Sequence, residues 1–134
     1  AAPVGAYVPA VKTGNLVFTS GQLPLCDGTL IATGKVATDT GIEVAALGAQ
    51  QAALNALAAI KALVGSLDSV RQVVRVNCFV NSAPGFTDQA KVANGASELL
   101  TAIFEGGAHT RCALGAAELP LNAAVELDII VEVD

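Results

Sequence analysis

The sequence predicts an α+β fold, a sheet of five or six strands with two helices packed on one face, and three observations carry that expectation. Two long stretches, Glu43 to Val64 and Phe86 to Phe104, repeat apolar residues at helical spacing. Short runs rich in β-branched residues surround them, and the last, Ala123 to Val133, alternates apolar and mostly charged side chains over most of its length. Charged residues are only 14% of the chain, against roughly 25% in an ordinary soluble domain, so part of the apolar surface needs cover from other copies of the chain.

Taken in order, Tyr7 to Lys12 and Leu16 to Ser20 flank the turn Thr13-Gly14-Asn15 and read as a hairpin. A weaker extended stretch, Thr29 to Val36, follows the Cys26-Asp27-Gly28 turn. In the first helix Ala45, Ala49, Ala52, Ala56, Ile60 and Leu63 share a face without a polar residue, while Gln50, Gln51, Asn55 and Lys61 take the opposite arc. Side chains that small let a helix lie close to a sheet. After a turn at Ser66 to Ser69, Val74, Val76, Cys78 and Val80 point one way along a strand from Val73 to Val80.

The second helix follows the Ala83-Pro84-Gly85 turn and is expected to bury Val92, Ala96, Leu99 and Ile103. Its Asn94-Gly95 pair breaks a local rule, since a glycine inside a helix costs about 1 kcal/mol relative to alanine; close packing or a functional demand explains such a choice. Thr110 to Ala117 and, beyond the Leu119-Pro120 turn, Ala123 to Val133 complete the sheet. Two helices cover one face only, and the other is wet or buried by another subunit. With the Val125, Leu127, Ile129, Val131 and Val133 series beneath the helices, Glu126 falls on the uncovered face. Arg111, Ala113 and Gly115 join it there if Cys112, Leu114 and Ala116 form the core side of their strand, giving a pocket lining between subunits.

The 134 residues suit a single domain, 1–134, and no repeat, linker or low-complexity tract divides them. Twelve acidic against seven basic residues, with no Lys/Arg cluster, disfavour binding to a nucleic-acid backbone. No apolar run approaches the roughly 18 residues of a membrane span, and no secretory signal is apparent. Cys26, Cys78 and Cys112 lack CxxC or His/Cys spacing, which suggests neither a disulfide framework nor a zinc site and fits reduced thiols in a cytoplasm. With no phosphate-binding glycine loop, metal cluster or aromatic platform, a cofactor-free small-molecule site remains.

Arg111 is the strongest candidate for that site, because a guanidinium forks onto a carboxylate with two parallel hydrogen bonds; a structural ion pair with Glu126 or Glu118 is the plainer use. Glu126 suits a general base or a water-positioner near Arg111, or is simply a surface carboxylate. His109, the chain's one histidine, stands two residues before Arg111, where acid–base work and ordinary hydrogen bonding are both open. Ser20, in Thr19-Ser20-Gly21-Gln22, ends a strand where a ligand finds free groups, but it lies in no nucleophile elbow and also suits a turn. The cysteines fit structural positions at least as well as nucleophilic ones.

Several segments in one order, Gly5-Ala6-Tyr7, Thr19-Ser20-Gly21-Gln22-Leu23-Pro24, Val73 to Val80, Arg111-Cys112-Ala113 leading to Glu118-Leu119-Pro120, and Val125-Glu126-Leu127, resemble the Rid/YjgF family of reactive intermediate deaminases. The resemblance runs over essentially the whole chain. It implies a chorismate-mutase-like mixed sheet and a homotrimer with active sites in the clefts between subunits. It further implies hydrolysis of reactive enamines and imines such as 2-aminoacrylate to 2-keto acids and ammonia. By position, Arg111 is similar to the arginine that clamps the substrate carboxylate and Glu126 to the residue that positions or activates water, with Ser20 assisting. Tyr7 corresponds to an aromatic pocket residue, Asn94 to a polar residue near the cleft, and Ala113 to a position whose backbone holds substrate. Ala113 stands where the best-known deaminases carry Cys, Gly-Ala-Tyr replaces their Gly-Pro-Tyr, and Asn94-Gly95-Ala96-Ser97 with His109-Thr110-Arg111 mark a divergent branch. Arg-lined clefts would equally serve a non-catalytic keto-acid-binding or regulatory trimer. The endoribonuclease activity attributed to some relatives sits poorly with the acidic charge.

Overall fold

The computed structural model describes residues 5–134. A hairpin of β1 (Ala10–Thr13) and β2 (Leu16–Thr19) is followed by a minimal hairpin, β3 (Leu25–Cys26) and β4 (Thr29–Leu30), and by helix α1 (Ile42–Val64). Then come β5 (Val70–Asn81), α2 (Gln89–Ile103), β6 (Thr110–Ala116) and β7 (Val125–Val133). Five strands form one mixed sheet in the order β1-β2-β7-β5-β6, antiparallel at each junction except β5–β6. That parallel junction follows from connectivity, because β5–α2–β6 is a crossover through a helix. The expected α+β architecture, two helices on a sheet of five or six strands, is thus present with five.

Both helices pack on the same face. Ala45, Ala49, Ala52, Ala56 and Ile60 of α1 are fully buried, as are Val125, Leu127, Ile129 and Val131 of β7 beneath them. The alanine face brings α1 so close that a Cβ added to Gly48 would lie 3.1 Å from Val125 Cγ1. Asn55 is not on a free polar arc: its amide donates to the carbonyls of Leu23 and Leu25 at 3.0 and 2.9 Å, tying the minimal hairpin to α1. At 23 residues α1 is long and apolar enough to cross a membrane by composition alone, but its buried alanine face is that of a core helix.

The structure departs from the sequence-based expectation where the backbone shifts a periodicity. Irregularities between Val70 and Gln72 and between Val73 and Arg75 let Val73, rather than Val74, reach the core ahead of Val76, Cys78 and Val80. Helix α2 starts at Gln89, not Phe86, because Phe86 N–H closes a turn onto the Ala83 carbonyl at 3.0 Å. It buries Val92, Ala93, Ala96 and Leu100, whereas Ile103 and Leu63 of α1 are exposed near the helix ends. Of the expected stretch Thr29 to Val36 only Thr29–Leu30 is a strand, and isolated bridges hold Thr33 to Ala123 and Val36 to Ser82. Gly95 is explained by packing, since a Cβ there would overlap the backbone carbonyl of Ala46 on α1.

Candidate functional site

The register of β6 on β5 decides where the candidate residues face. Val76 pairs with Arg111, Cys78 with Ala113 and Val80 with Gly115, and those three β5 residues are buried beneath the helices. Arg111, Ala113 and Gly115 therefore lie on the helix-covered side, while Cys112 and Leu114 turn to the open face. The expectation that Arg111 joins Glu126 on the open face is corrected by this pairing: strand partners in register share a face. The open face does hold an arginine, Arg75. Its Nε donates to Asn77 Oδ1 at 3.0 Å and its NH2 to Cys112 Sγ at 2.9 Å, and Asn77 donates in turn to Asp128 at 2.8 Å.

At the sheet edge Arg111 is half-buried under α2. Its NH1 donates to Asn94 Oδ1 at 2.8 Å and to Ser97 Oγ at 3.2 Å, two residues that a spacing of three places on one face of α2. Ser97 Oγ also lies 2.8 Å from His109 Nε2. His109 Nδ1 is buried and has no hydrogen-bond partner among the described residues. Burial, and then the Arg111 guanidinium, hold the His109 imidazole below its ordinary pKa and favour the neutral ring. Neither ion-pair partner expected for Arg111 holds it: Glu118 meets Lys35 at 3.4 Å, and Glu126 is on the other side of the sheet. A cavity of about 240 Å³ beside the guanidinium is lined by Ser97, Glu98, Thr101, Ala108, His109 and Arg111.

Glu126 belongs to a second cluster. Backbone hydrogen bonds of 2.7 and 3.0 Å join Gln22 to Leu127, laying the loop after β2 along β7. A Cβ on Gly21 would overlap the Glu126 carboxylate, so the glycine leaves that carboxylate its room. Burial first, and Asp128 second, raise the Glu126 carboxyl above the usual glutamate value, a direction that suits a group accepting a proton near neutrality. Ser20, just before Gly21, donates its hydroxyl to the Val8 carbonyl at 2.5 Å, and half-exposed Tyr7 immediately precedes Val8.

The sequence-predicted residues thus fall into two groups, Arg111, Asn94, His109 and Ala113 at the β6 edge under α2, and Glu126, Ser20 and Tyr7 around the loop after β2. Ser97 was not singled out as a site residue, although its place one turn after Asn94 was the available signal. Cys26 is exposed and Cys112 bonded to Arg75, while burial pushes the Cys78 thiol up to about 12, so no thiolate forms there near neutral pH.

Comparison with known proteins places this geometry. The family model described as Endoribonuclease L-PSP matches residues 1–133. The chain is 43% identical over 136 residues to Protein TCP17 of Trypanosoma cruzi, covering 100% of this chain and 85% of that one. It is 32% identical over 132 residues to the 2-iminobutanoate/2-iminopropanoate deaminase of Dermatophagoides farinae, with 98% and 89% covered. Its fold matches the crystal structure of Atu1372 from Agrobacterium tumefaciens, a protein of unknown function, with a TM-score of 0.92 and 46% identity over 96% of this chain and 83% of that one.

Proposed function

The chain belongs to the Endoribonuclease L-PSP family, also called Rid/YjgF, and from that premise we propose that it hydrolyses enamine and imine intermediates of the 2-aminoacrylate type to 2-keto acids and ammonia. One observation carries the reading. Arg111 is fixed at NH1 while its Nε and NH2 have no partner among the described residues, which leaves a fork for a small carboxylate. The name of the mite relative, a deaminase of 2-iminobutanoate and 2-iminopropanoate, supports the same substrate class.

The chemistry needs little beyond orientation. In R–C(=NH)–COO⁻ the imine carbon is already electrophilic. Glu126 takes a proton from water as the oxygen bonds to that carbon and the C=N π pair moves to nitrogen, which receives the proton to give the carbinolamine. The hydroxyl proton then passes through Glu126 to the amino group, and as C=O forms the C–N bond breaks to give the keto acid and ammonia. Arg111 holds the carboxylate throughout, and Ser20 and Tyr7 frame the Glu126 side. Because the two groups occupy opposite faces of one sheet, the working site is shared: Arg111 of one copy meets Glu126 of the next around a homotrimer. The exposed Phe18 and Leu114 supply apolar surface on the open face for that assembly.

The test is a coupled assay in which an imine generated in situ by an amino-acid oxidase or serine dehydratase is followed as keto acid and ammonia. Wild type is expected to accelerate both above background and Arg111→Ala to lose the acceleration. Equal release by the two proteins defeats the proposal, and 2-ketobutyrate binding without turnover would make the protein a carboxylate binder.

A further inference from the structure

We infer that Ser97 is a positioning residue: with Asn94 it pins one end of the Arg111 guanidinium and so turns the Nε–NH2 edge to the substrate carboxylate. This role presupposes that Arg111 is the carboxylate anchor. NH1 carries two hydrogens and meets two acceptors, Asn94 Oδ1 at 2.8 Å and Ser97 Oγ at 3.2 Å. The end-on NH1/NH2 fork is therefore closed. What remains is Nε–H with the parallel hydrogen of NH2, a side-on fork that accepts both carboxylate oxygens at once.

His109 is the support behind Ser97. Its Nε2 lies 2.8 Å from Ser97 Oγ, and either tautomer of the ring leaves that oxygen a lone pair for Arg111. Three groups, Asn94 and Ser97 on α2 and His109 just before β6, thus fix a side chain that would otherwise rotate about four torsions. Ser97 acts through the guanidinium it holds, so its loss falls on capture of the carboxylate rather than on the chemical step at the imine carbon.

Binding of 2-ketobutyrate by calorimetry, and turnover in the coupled assay, are compared for wild type, Ser97→Ala, Ser97→Thr and Arg111→Ala. Ser97→Ala is expected to raise Kd and KM by about tenfold, the scale of one hydrogen bond to a charged group, with kcat within about twofold. Ser97→Thr, which keeps the hydroxyl, is expected to restore most of the affinity. Wild-type affinity in Ser97→Ala, or a fall in kcat at unchanged KM, overturns the role of Ser97 but leaves Arg111 standing. Wild-type affinity in Arg111→Ala overturns the anchor itself. A measurement on the unmutated protein guards against a variant that fails to fold: the two Nη nitrogens of Arg111 should give separate, slowly exchanging ¹⁵N signals, and a single averaged signal refutes the pinning.

Discussion

Mixing two inactive variants should regenerate activity, because a copy lacking Arg111 and a copy lacking Glu126 each keep what the other has lost. The geometry sets the magnitude. Phe79 of β5 pairs with both Glu126 and Leu114, and Arg111 stands three residues before Leu114 on β6. Two inter-strand steps of about 4.8 Å and three residues of about 3.3 Å put the two Cα atoms roughly 14 Å apart, with side chains on opposite faces. With the sheet between them, a substrate whose carboxylate sits on Arg111 cannot bring its imine carbon within about 3–3.5 Å of a water held by Glu126 of the same copy, so one copy does not assemble the proposed site. In randomly mixed trimers made from equal amounts of Arg111→Ala and Glu126→Gln, a shared site is intact when its arginine comes from the second variant and its glutamate from the first. Half times half gives about one quarter of wild-type activity. Wild type mixed equally with the double variant should also give about a quarter under sharing, and about a half if each chain carries its own site. The assay is keto-acid release after co-refolding, with light scattering to confirm the trimer. No activity above the separate variants, together with one half in the control, would refute a site divided between copies.

Glu126→Gln should cost about 10²- to 10⁴-fold in turnover, the range for losing a general base, while 2-ketobutyrate still binds; calorimetry with the coupled assay checks both. The raised Glu126 carboxyl favours the protonated form in the folded chain, so its contribution to stability is full below the ordinary value of 4.5 and is lost as pH rises through the folded value. Glu126→Gln should accordingly be more stable than wild type in urea at pH 7 and lose that advantage below 4.5. His109 should titrate by NMR below the ordinary 6.5, and Arg111→Ala should move its midpoint only part of the way back, because burial is the larger cause. Gly95→Ala should be destabilising by about 1–3 kcal/mol in urea unfolding, as its Cβ meets the Ala46 backbone; a gain of about 1 kcal/mol, the helix-propensity expectation, would show that the helices do not approach so closely.

Where a single physical signal dominated, the sequence was readable. The alternation of Val125 to Val133 and the alanine face from Ala45 to Ile60 correspond to buried residues because nothing interrupts their backbone period. Val73 and Leu100 were misplaced by one position for different reasons: irregular pairing shifts β5, and α2 packs against both α1 and the β5–β6 side of the sheet, so its buried face is set by two neighbours at once. The facing of β6 was not readable from Arg111 to Ala116, since both of its alternations contain small or apolar residues and neither identifies itself as core. Only the parallel register with Val76, Cys78 and Val80 chooses between them. Arg111 and Glu126 could be named from residue type and order, but their separation could not, because one shift of a period-two strand reverses its whole face.

That reversal changes what the small residues of the chain are for. A charged side chain on the covered face of an edge strand needs partners, and α2 supplies them only if it sits low over β6. The depth of α2 is set against α1 at Gly95, where contact with the Ala46 carbonyl leaves no room for a methyl group. Asn94 and Ser97 flank that contact within one turn, so the same glycine that lowers helix propensity brings both acceptors to the guanidinium. Helix packing and the placing of the Arg111 guanidinium are therefore not alternative explanations of Asn94-Gly95. The close approach of the helices holds Arg111 in place, and a substitution that lifts α2 by a fraction of an ångström should weaken carboxylate capture even where the fold survives.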